Sequence, residues 1–352
     1  MARECISVPG PDSDTRTMTR RPLRSLVVLP DDTAQPFLDA IAAAETSVRV
    51  KMFELSDPSV ANALIEAHQR GVAVRVMVDP KRTERLRRRI ATCRRLRRAG
   101  VGVQASSPEF SATHEKSLVV DDETAFVQTC NWEAEYFTHT RDYAVRTTNR
   151  DEVTEIITCF EADWHRRRFQ PSEPSSLIWC PWNGRERFAH FIDRAKDTLI
   201  VANDRFQDPP IVEHIVRARS RGVKVRVITR PVHSLSKRSL ADGVAALQIM
   251  HDAGVKIHKL EHLKLHAKMM VADRRTAIVG SINISVGSFD KRRELAIEIT
   301  DTAIVDRLLT VYHRDWRRSE ALDLSDKGLD VEMGHHHIEH DVVARWRSLA
   351  EE

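Results

Sequence analysis

His114 and Lys116 stand two residues apart in HEKSLVVDDETAFVQTCN (His114 to Asn131). His266 and Lys268 repeat that spacing in HAKMMVADRRTAIVGSIN (His266 to Asn283). A neutral imidazole can attack phosphorus and form a covalent phosphohistidine, while a second, protonated imidazole hands its proton to the leaving oxygen. A lysine beside each histidine brings positive charge to the non-bridging phosphate oxygens, where the transition state needs it. The side-chain amides of Asn131 and Asn283 add hydrogen-bond donors. One copy supplies half of this set. Two copies packed face to face about a pseudo-twofold axis would put His114 and His266 on opposite sides of one phosphate. An imidazole nucleophile also needs an acceptor on its other ring nitrogen. Asp142 and Glu294, each eleven residues after the motif asparagine, are the candidates for that orienting role. No Asp/His constellation demands a metal, because the Lys and Asn groups can replace it as electrophile. We expect no metal and no cofactor.

The repetition extends well beyond the two motifs. His266 lies 152 residues after His114, and the same offset joins Asp142 to Glu294 and Asp163-Trp164 to Asp315-Trp316. Upstream, RGVAVRVMVDP (Arg70 to Pro80) matches RGVKVRVITRP (Arg221 to Pro231) at an offset of 151. A register kept over that length points to two homologous halves. The expected division is a loose N-terminal tail over 1–21, a first repeat over 22–170 and a second repeat over 177–319. A linker over 171–176, in the Pro/Ser-rich QPSEPSS (Gln170 to Ser176), joins the repeats, and a C-terminal tail covers 320–352.

Each half carries the same order of elements. A short apolar strand (Ser25 to Leu29; Leu177 to Cys180) precedes a helix and then a second strand (Val48 to Phe53; Thr198 to Ala202). An amphipathic helix (Ala61 to Arg70; Ile211 to Arg221) ends at Gly71 or Gly222, suited to a left-handed cap. A Val-rich strand, a third helix and a short strand lead to the motif. The motif reads as a hairpin whose period of two puts His114 and Lys116 on one face, with turns at Asp121-Asp122-Glu123 and Ala272 to Arg275. Asp121 and Asp273 are grouped with the catalytic His and Lys by the motif, yet a place at the turn favours a structural role. The alternation of strands and helices gives an α/β fold with layered helices and sheets.

HxK, four residues, Asp, six residues and GSxN is the pattern of the phospholipase D superfamily. His266, Lys268, Asp273, Gly280, Ser281 and Asn283 fit it throughout. Over about 22–319 the chain resembles the single-chain members of that family. The resemblance implies two α-β-α sandwich halves related by a pseudo-twofold axis and metal-independent phosphodiester cleavage through phosphohistidine. It implies His114 as nucleophile, His266 as acid and later base, and substrate contacts at Asn131, Ser281 and Asn283. The first copy departs from the pattern with Gln128-Thr129-Cys130-Asn131. Thr129 can stand for the serine, Gln128 adds bulk where the backbone would approach substrate, and Asp142 in place of Glu shortens the orienting arm of the first half.

The 352 residues are 41% hydrophobic and 30% charged, which suits a globular protein, and no run of eighteen apolar residues exists to span a membrane. The N-terminus lacks an apolar signal-peptide core, and five cysteines without paired spacing favour free thiols in a reducing cytoplasm. The net charge of +4 is uneven: residues 81–98, KRTERLRRRIATCRRLRR, hold ten basic residues and one acid. Leu86, Ile90, Cys93 and Leu96 at helical spacing make this a helix with one buried stripe. Its basic face is either merely solvated or a patch for anionic phospholipid headgroups or nucleic acid. The absence of interleaved aromatics weakens single-strand binding. Cys130 reads as packing, His335 to His337 with His340 as a solvated segment rather than a metal site, and Val342 to Leu349 as a short helix. The expected activity is phospholipid phosphodiester hydrolysis or phosphatidyl transfer, cytoplasmic and at most peripheral at an anionic membrane. The alternatives are a nuclease of the same superfamily and a silent phosphate-ester-binding protein.

Overall fold

The structure is a computed structural model that describes residues 22–80, 86–232, 237–325 and 327–329. The expected N-terminal tail, the start of the basic stretch (81–85), the histidine cluster at 335–340 and the terminal helix fall outside the described residues.

The first half runs β1 (Arg24–Leu29), α1 (Gln35–Ala42), β2 (Ser47–Met52), α2 (Pro58–Gln69), β3 (Ala73–Val78), α3 (Leu86–Arg98), β4 (Gly102–Ala105) and β5 (Ala112–Thr113). It continues with β6 (Ser117–Val120), β7 (Thr124–Gln128), α4 (Ala134–Thr138), β8 (Thr140–Thr147) and α5 (Arg150–Trp164). The second half runs β9 (Leu177–Cys180), α6 (Gly184–Arg194), β10 (Thr198–Asn203), β11 (Phe206–Gln207), α7 (Pro209–Ser220), β12 (Lys224–Thr229), α8 (Lys237–Asp252) and β13 (Lys256–Lys259). Then follow β14 (Lys264–Leu265), β15 (Lys268–Ala272), β16 (Thr276–Gly280), β17 (Ile284–Ser285), α9 (Val286–Lys291), β18 (Arg292–Ile299), α10 (Thr302–Arg317) and β19 (Glu320–Ala321).

The two sheets repeat one topology. The first is ordered β1-β8-β7-β6-β2-β3-β4; the second is ordered β18-β16-β15-β10-β12-β13, with β9 antiparallel to β18 as β1 is to β8. In each, three strands run parallel (β2, β3, β4; β10, β12, β13) and the motif hairpin lies antiparallel beside them. The alternation of Val48 and Val50 with Arg49 and Lys51 in β2 buries the valines against α1 and α2 on the outer face. The second sheet is covered in the same way by α6, α7 and α8. A third cluster fills the space between the two sheets, where Val119, Val127 and Val145 meet Val271, Val279 and Ile297, with α5 and α10 packed at its sides. Among the described residues no helix is long and apolar enough to cross a membrane.

Local chemistry sets the element ends. Helix α2 starts at Pro58, earlier than the apolar period suggests, because Asp57 accepts from the Ser59 and Val60 amides and Pro58 needs no donor partner. Asp208 caps α7 through the Ile211 amide. Gly71 and Gly222 close these helices at φ +96° and +95°, a conformation that a Cβ would strain.

The short strands β5 and β14 cross between halves. β5 of the first half pairs with the start of β18, and β14 of the second half pairs with the start of β8. Each histidine motif therefore begins on the opposite half's sheet.

Candidate active site

The crossing decides where the histidines go. The amides of His114 and Glu115 both donate to the Arg293 carbonyl at 2.9 Å, and the His266 amide donates to the Arg141 carbonyl at 3.2 Å. The strand starts only at Ser117, later than expected, because the Arg293 carbonyl of the other half takes the His114 and Glu115 amides. His114 Nδ1 lies 2.8 Å from Glu294 Oε2 and 3.2 Å from the Ser281 carbonyl. His266 Nδ1 lies 2.9 Å from Asp142 Oδ1. The orienting acids are thus exchanged: each half's acid faces the other half's histidine. The shorter arm of Asp142 serves His266 and not the first half's own histidine. With Nδ1 engaged, Nε2 of each buried ring is the nitrogen left for chemistry.

The acids are themselves held by a repeated device that spacing alone did not reveal. Arg293, just before Glu294, forks onto Asp163 of α5 at 2.9 and 2.6 Å. Arg141, just before Asp142, forks onto Asp315 of α10 at 2.6 and 3.1 Å. The last helix of each half grips the opposite half beside the acid, and the recurrence of Asp-Trp in the sequence was its signal. Arg293 also lies between Phe110 and Trp182, 4.3 and 4.2 Å from the ring centres.

Glu115, between His114 and Lys116, points the other way. It accepts from Lys51 at 2.8 Å, and Lys51 also donates to Asp163 at 2.8 Å and to Cys159 at 3.3 Å. Glu115, Cys159 and Asp163 are close enough to hold a metal ion, but the Lys51 ammonium already sits on all three. Burial alone would lower the Lys51 pKa, and the surrounding Asp163, Cys159 and Glu115 raise it. The cation stays in place as a buried structural centre.

The lysines differ between halves. Lys116 donates to the His114 carbonyl at 2.6 Å, and its ammonium lies 5.2 Å from the Phe53 ring centre. Lys268 makes the matching contact to the His266 carbonyl and has Asp204 at 3.3 Å. Phe53 and Asp204 follow β2 and β10 at equivalent places, 151 residues apart. Burial pushes Lys116 down to about 7. Burial also lowers Lys268, with Asp204 opposing the shift. His114 falls well below its ordinary value through burial and then Lys116. His266 is lowered by burial and Lys268, against the pull of Asp142 and Asp204. Burial raises the Glu294 carboxyl, with Lys116 opposing. Asp142 shows the reverse: burial would raise it, but His266, Lys268 and the Thr129 hydroxyl hold it below the usual range.

Several sequence-predicted residues occupy other places. Asp121 and Asp273 lie at the far hairpin turns, seven residues and roughly 20 Å of extended chain from their histidines. Asp121 accepts from the Glu45, Thr46 and Ser47 amides, and Asp273 from the Lys196, Asp197 and Thr198 amides. Both tie the hairpin to the loop before the adjacent strand, the kind of contact that a place at the turn favours. The Ser281 hydroxyl accepts from the Leu295 amide at 3.0 Å, as Thr129 does from Tyr143 at 2.9 Å, so each fixes the strand carrying the orienting acid. Asn131 and Asn283 are buried, and the Oδ1 of each takes no hydrogen bond among the described residues. Asn131 Nδ2 reaches Glu54 at 3.2 Å.

Gln128 is buried. Its Oε1 accepts from Trp132 Nε1 at 2.9 Å, and the side chain packs within the first half. Gly280 is needed for a different approach: a Cβ there would lie 2.3 Å from Ala296 Cα of the neighbouring strand.

The family described as "Cardiolipin synthase, PLD-like domain" matches residues 37–164 and again 188–316. Cardiolipin synthase B of Salmonella typhi is 28% identical over 312 residues, covering 75% of this chain and 73% of that protein. Minor cardiolipin synthase ClsB of Bacillus subtilis is 23% identical over 330 residues, covering 84% and 81%. Among solved structures, phosphatidylserine synthase of Haemophilus influenzae superposes with a TM-score of 0.73 at 10% identity, over 93% of this chain and 94% of that one. Polyphosphate kinase of Porphyromonas gingivalis gives 0.70 at 18% identity over 86% of this chain, which spans 49% of that one. These structural likenesses bear on the fold. The family match in both halves, on the same skeleton that carries the crossed His–acid pairs, places this chain in the phospholipase D superfamily, in its cardiolipin synthase-like branch.

Proposed function

We propose that the chain cleaves a phospholipid phosphodiester bond and passes the phosphatidyl group to an alcohol or to water through a phosphohistidine. The observation that carries this reading is the pair of buried imidazoles, each held through Nδ1 by a carboxylate from the opposite half. His114 is the nucleophile. Its imidazole stays neutral, and its Nε2 lone pair forms the P–N bond as the P–O bond to the leaving alcohol breaks. His266, with Asp142 and Asp204 near it, is the acid that gives its Nε2 proton to the leaving oxygen. The incoming alcohol or water then loses its proton to His266, its oxygen bonds to phosphorus, and the P–N bond breaks. Glu294 balances the positive charge of phosphorylated His114. Lys116 and Lys268, with the amides of Asn131 and Asn283, hold the non-bridging oxygens. These groups supply the electrophile without a metal.

The relatives named cardiolipin synthases support a phospholipid substrate over a nucleic acid. The test is release of headgroup from phosphatidylglycerol vesicles in EDTA. Wild type is expected to release it, and His114→Ala and His266→Ala to lose at least about 10² in rate. Strict dependence on added metal, or near-normal rates in either variant, would overturn the mechanism.

A further inference from the structure

The two sides of the candidate site are unlike. On the first-half side, a cleft of about 510 Å³ opens between α3 and the carboxyl ends of β2 and β3, walled by Phe53, Leu55, Val78, Ile90 and Cys93. It adjoins the reacting histidine: the Phe53 ring lies edge-on to His114 at 4.7 Å, and Asp79 on the cleft wall accepts from the Thr113 amide at 2.8 Å. Arg89 lines the cleft and is 8% exposed. Its Nη2 pairs with Glu54 at 2.5 Å, and its Nη1 is buried with no hydrogen-bond partner among the described residues. That N–H is an unfilled donor for an ester or phosphate oxygen. Arg94 and Arg97 also line the cleft and are exposed, and with Arg87, Arg88, Arg95 and Arg98 they make α3 a basic face. On the second-half side, Asp204 takes the place of Phe53, with Arg205 at 3.9 Å, Arg230 at 3.8 Å and Lys268 at 3.3 Å. That side offers charge where the first offers an apolar wall.

We infer that this difference orients the substrate: the acyl-bearing glycerol of the retained phosphatidyl group lies in the α3 cleft past Phe53, and the leaving or incoming alcohol lies on the Asp204 side. In-line displacement requires the leaving oxygen to depart opposite His114, toward His266; the retained substituent, equatorial to that axis, then has the Phe53 wall beside His114 to turn along. The cleft is of ligand-pocket size and mostly apolar, with few polar groups, as a lipid's glycerol and proximal chains require. The basic face of α3 then meets the anionic headgroups beside the bound lipid. This inference rests on the lipid reading given above and deepens it.

The experiment compares dihexanoyl phosphatidylglycerol with acyl-free glycerophosphoglycerol. Binding is measured by calorimetry in a His114→Ala background, and turnover with His114 intact, each with Cys93, Cys93→Phe or Cys93→Ala. Filling the cleft with Phe is expected to weaken diacyl binding and kcat/KM by at least about tenfold more than for the acyl-free diester, the scale of a few displaced methylenes. Cys93→Ala should show no such bias. Equal losses on both substrates, or no loss on the diacyl one, would overturn the cleft assignment while turnover keeps the lipid reading. Biased binding without any wild-type turnover would overturn the lipid-enzyme reading and keep the cleft. A single-stranded oligonucleotide whose binding alone suffers from Cys93→Phe would make the cleft a nucleotide site instead.

Discussion

Asp142 belongs to the first half of the chain and holds the histidine of the second, with its Oδ1 2.9 Å from His266 Nδ1. The matching contact, Glu294 to His114 at 2.8 Å, runs the opposite way. Neither motif histidine takes its carboxylate from its own half, so the site exists only where the halves meet. Glu294→Gln should therefore impair His114, and Asp142→Asn should impair His266. Each is expected to cost at least about 10² in kcat, since an amide can fix the wrong tautomer. Asp142→Asn combined with His266→Ala should be little worse than His266→Ala alone, because the two act as one unit. Combined instead with His114→Ala, which already removes the nucleophile, it gives no such information. Additive losses for Asp142 with His266 would contradict the crossed pairing.

The pH profile follows from burial. Lys116 must be protonated to hold phosphate, and burial brings it down to about 7. His266 must also be protonated to act as acid, while His114 must be bare and is bare down to well below its ordinary 6.5. Raising pH removes protons that the reaction needs. kcat/KM should accordingly begin to fall below the ordinary 6.5 of an imidazole, as His266 loses its proton, and fall more steeply as Lys116 loses its own through about 7. Lys116→Arg, whose guanidinium does not titrate there, should leave the first fall and abolish the steeper one, as read from kcat/KM between about pH 5 and 9. A profile unchanged by the substitution would remove Lys116 from the account.

Asp121 offers a separation of fold from chemistry. Its carboxylate collects the Glu45, Thr46 and Ser47 amides and the Thr46 hydroxyl, away from the histidines. Asp121→Ala should lower unfolding stability by roughly 1–2 kcal/mol, the scale of lost hydrogen bonds at a partly exposed turn. The folded fraction should turn over substrate at near wild-type kcat. A fall in kcat comparable with that of Lys116→Ala, at unchanged stability, would restore Asp121 to the reacting groups.

Much of the fold was legible because it repeats. The 152-residue register, the glycines at 71 and 222 and the paired hairpins each follow from local pattern and are present in both sheets. The partners of the acids were not legible. Asp142 lies eleven residues after Asn131 as Glu294 does after Asn283, and spacing within a half cannot say that the contacts are exchanged. That exchange comes from β5 and β14 pairing across the halves, a tertiary fact carried by two residues each. The direction of Gln128 was hidden for a related reason: the sequence gives bulk but not direction, and Trp132 Nε1 donates to the Gln128 side chain within the first half. Phe53 and Asp204 escaped notice because they lie in unremarkable stretches just after a strand, and their importance appears only beside Lys116 and Lys268.

The most direct test of the account is to trap the covalent intermediate. Acid-labile, base-stable labelling of the protein from phosphatidyl-labelled substrate, quenched in base within one turnover and mapped by peptide mass, should place the phosphoramidate on His114. The adduct should be absent in His114→Ala. A label on His266, or steady turnover with no labelled histidine under single-turnover conditions, would contradict the assignment of His114 as the nucleophile.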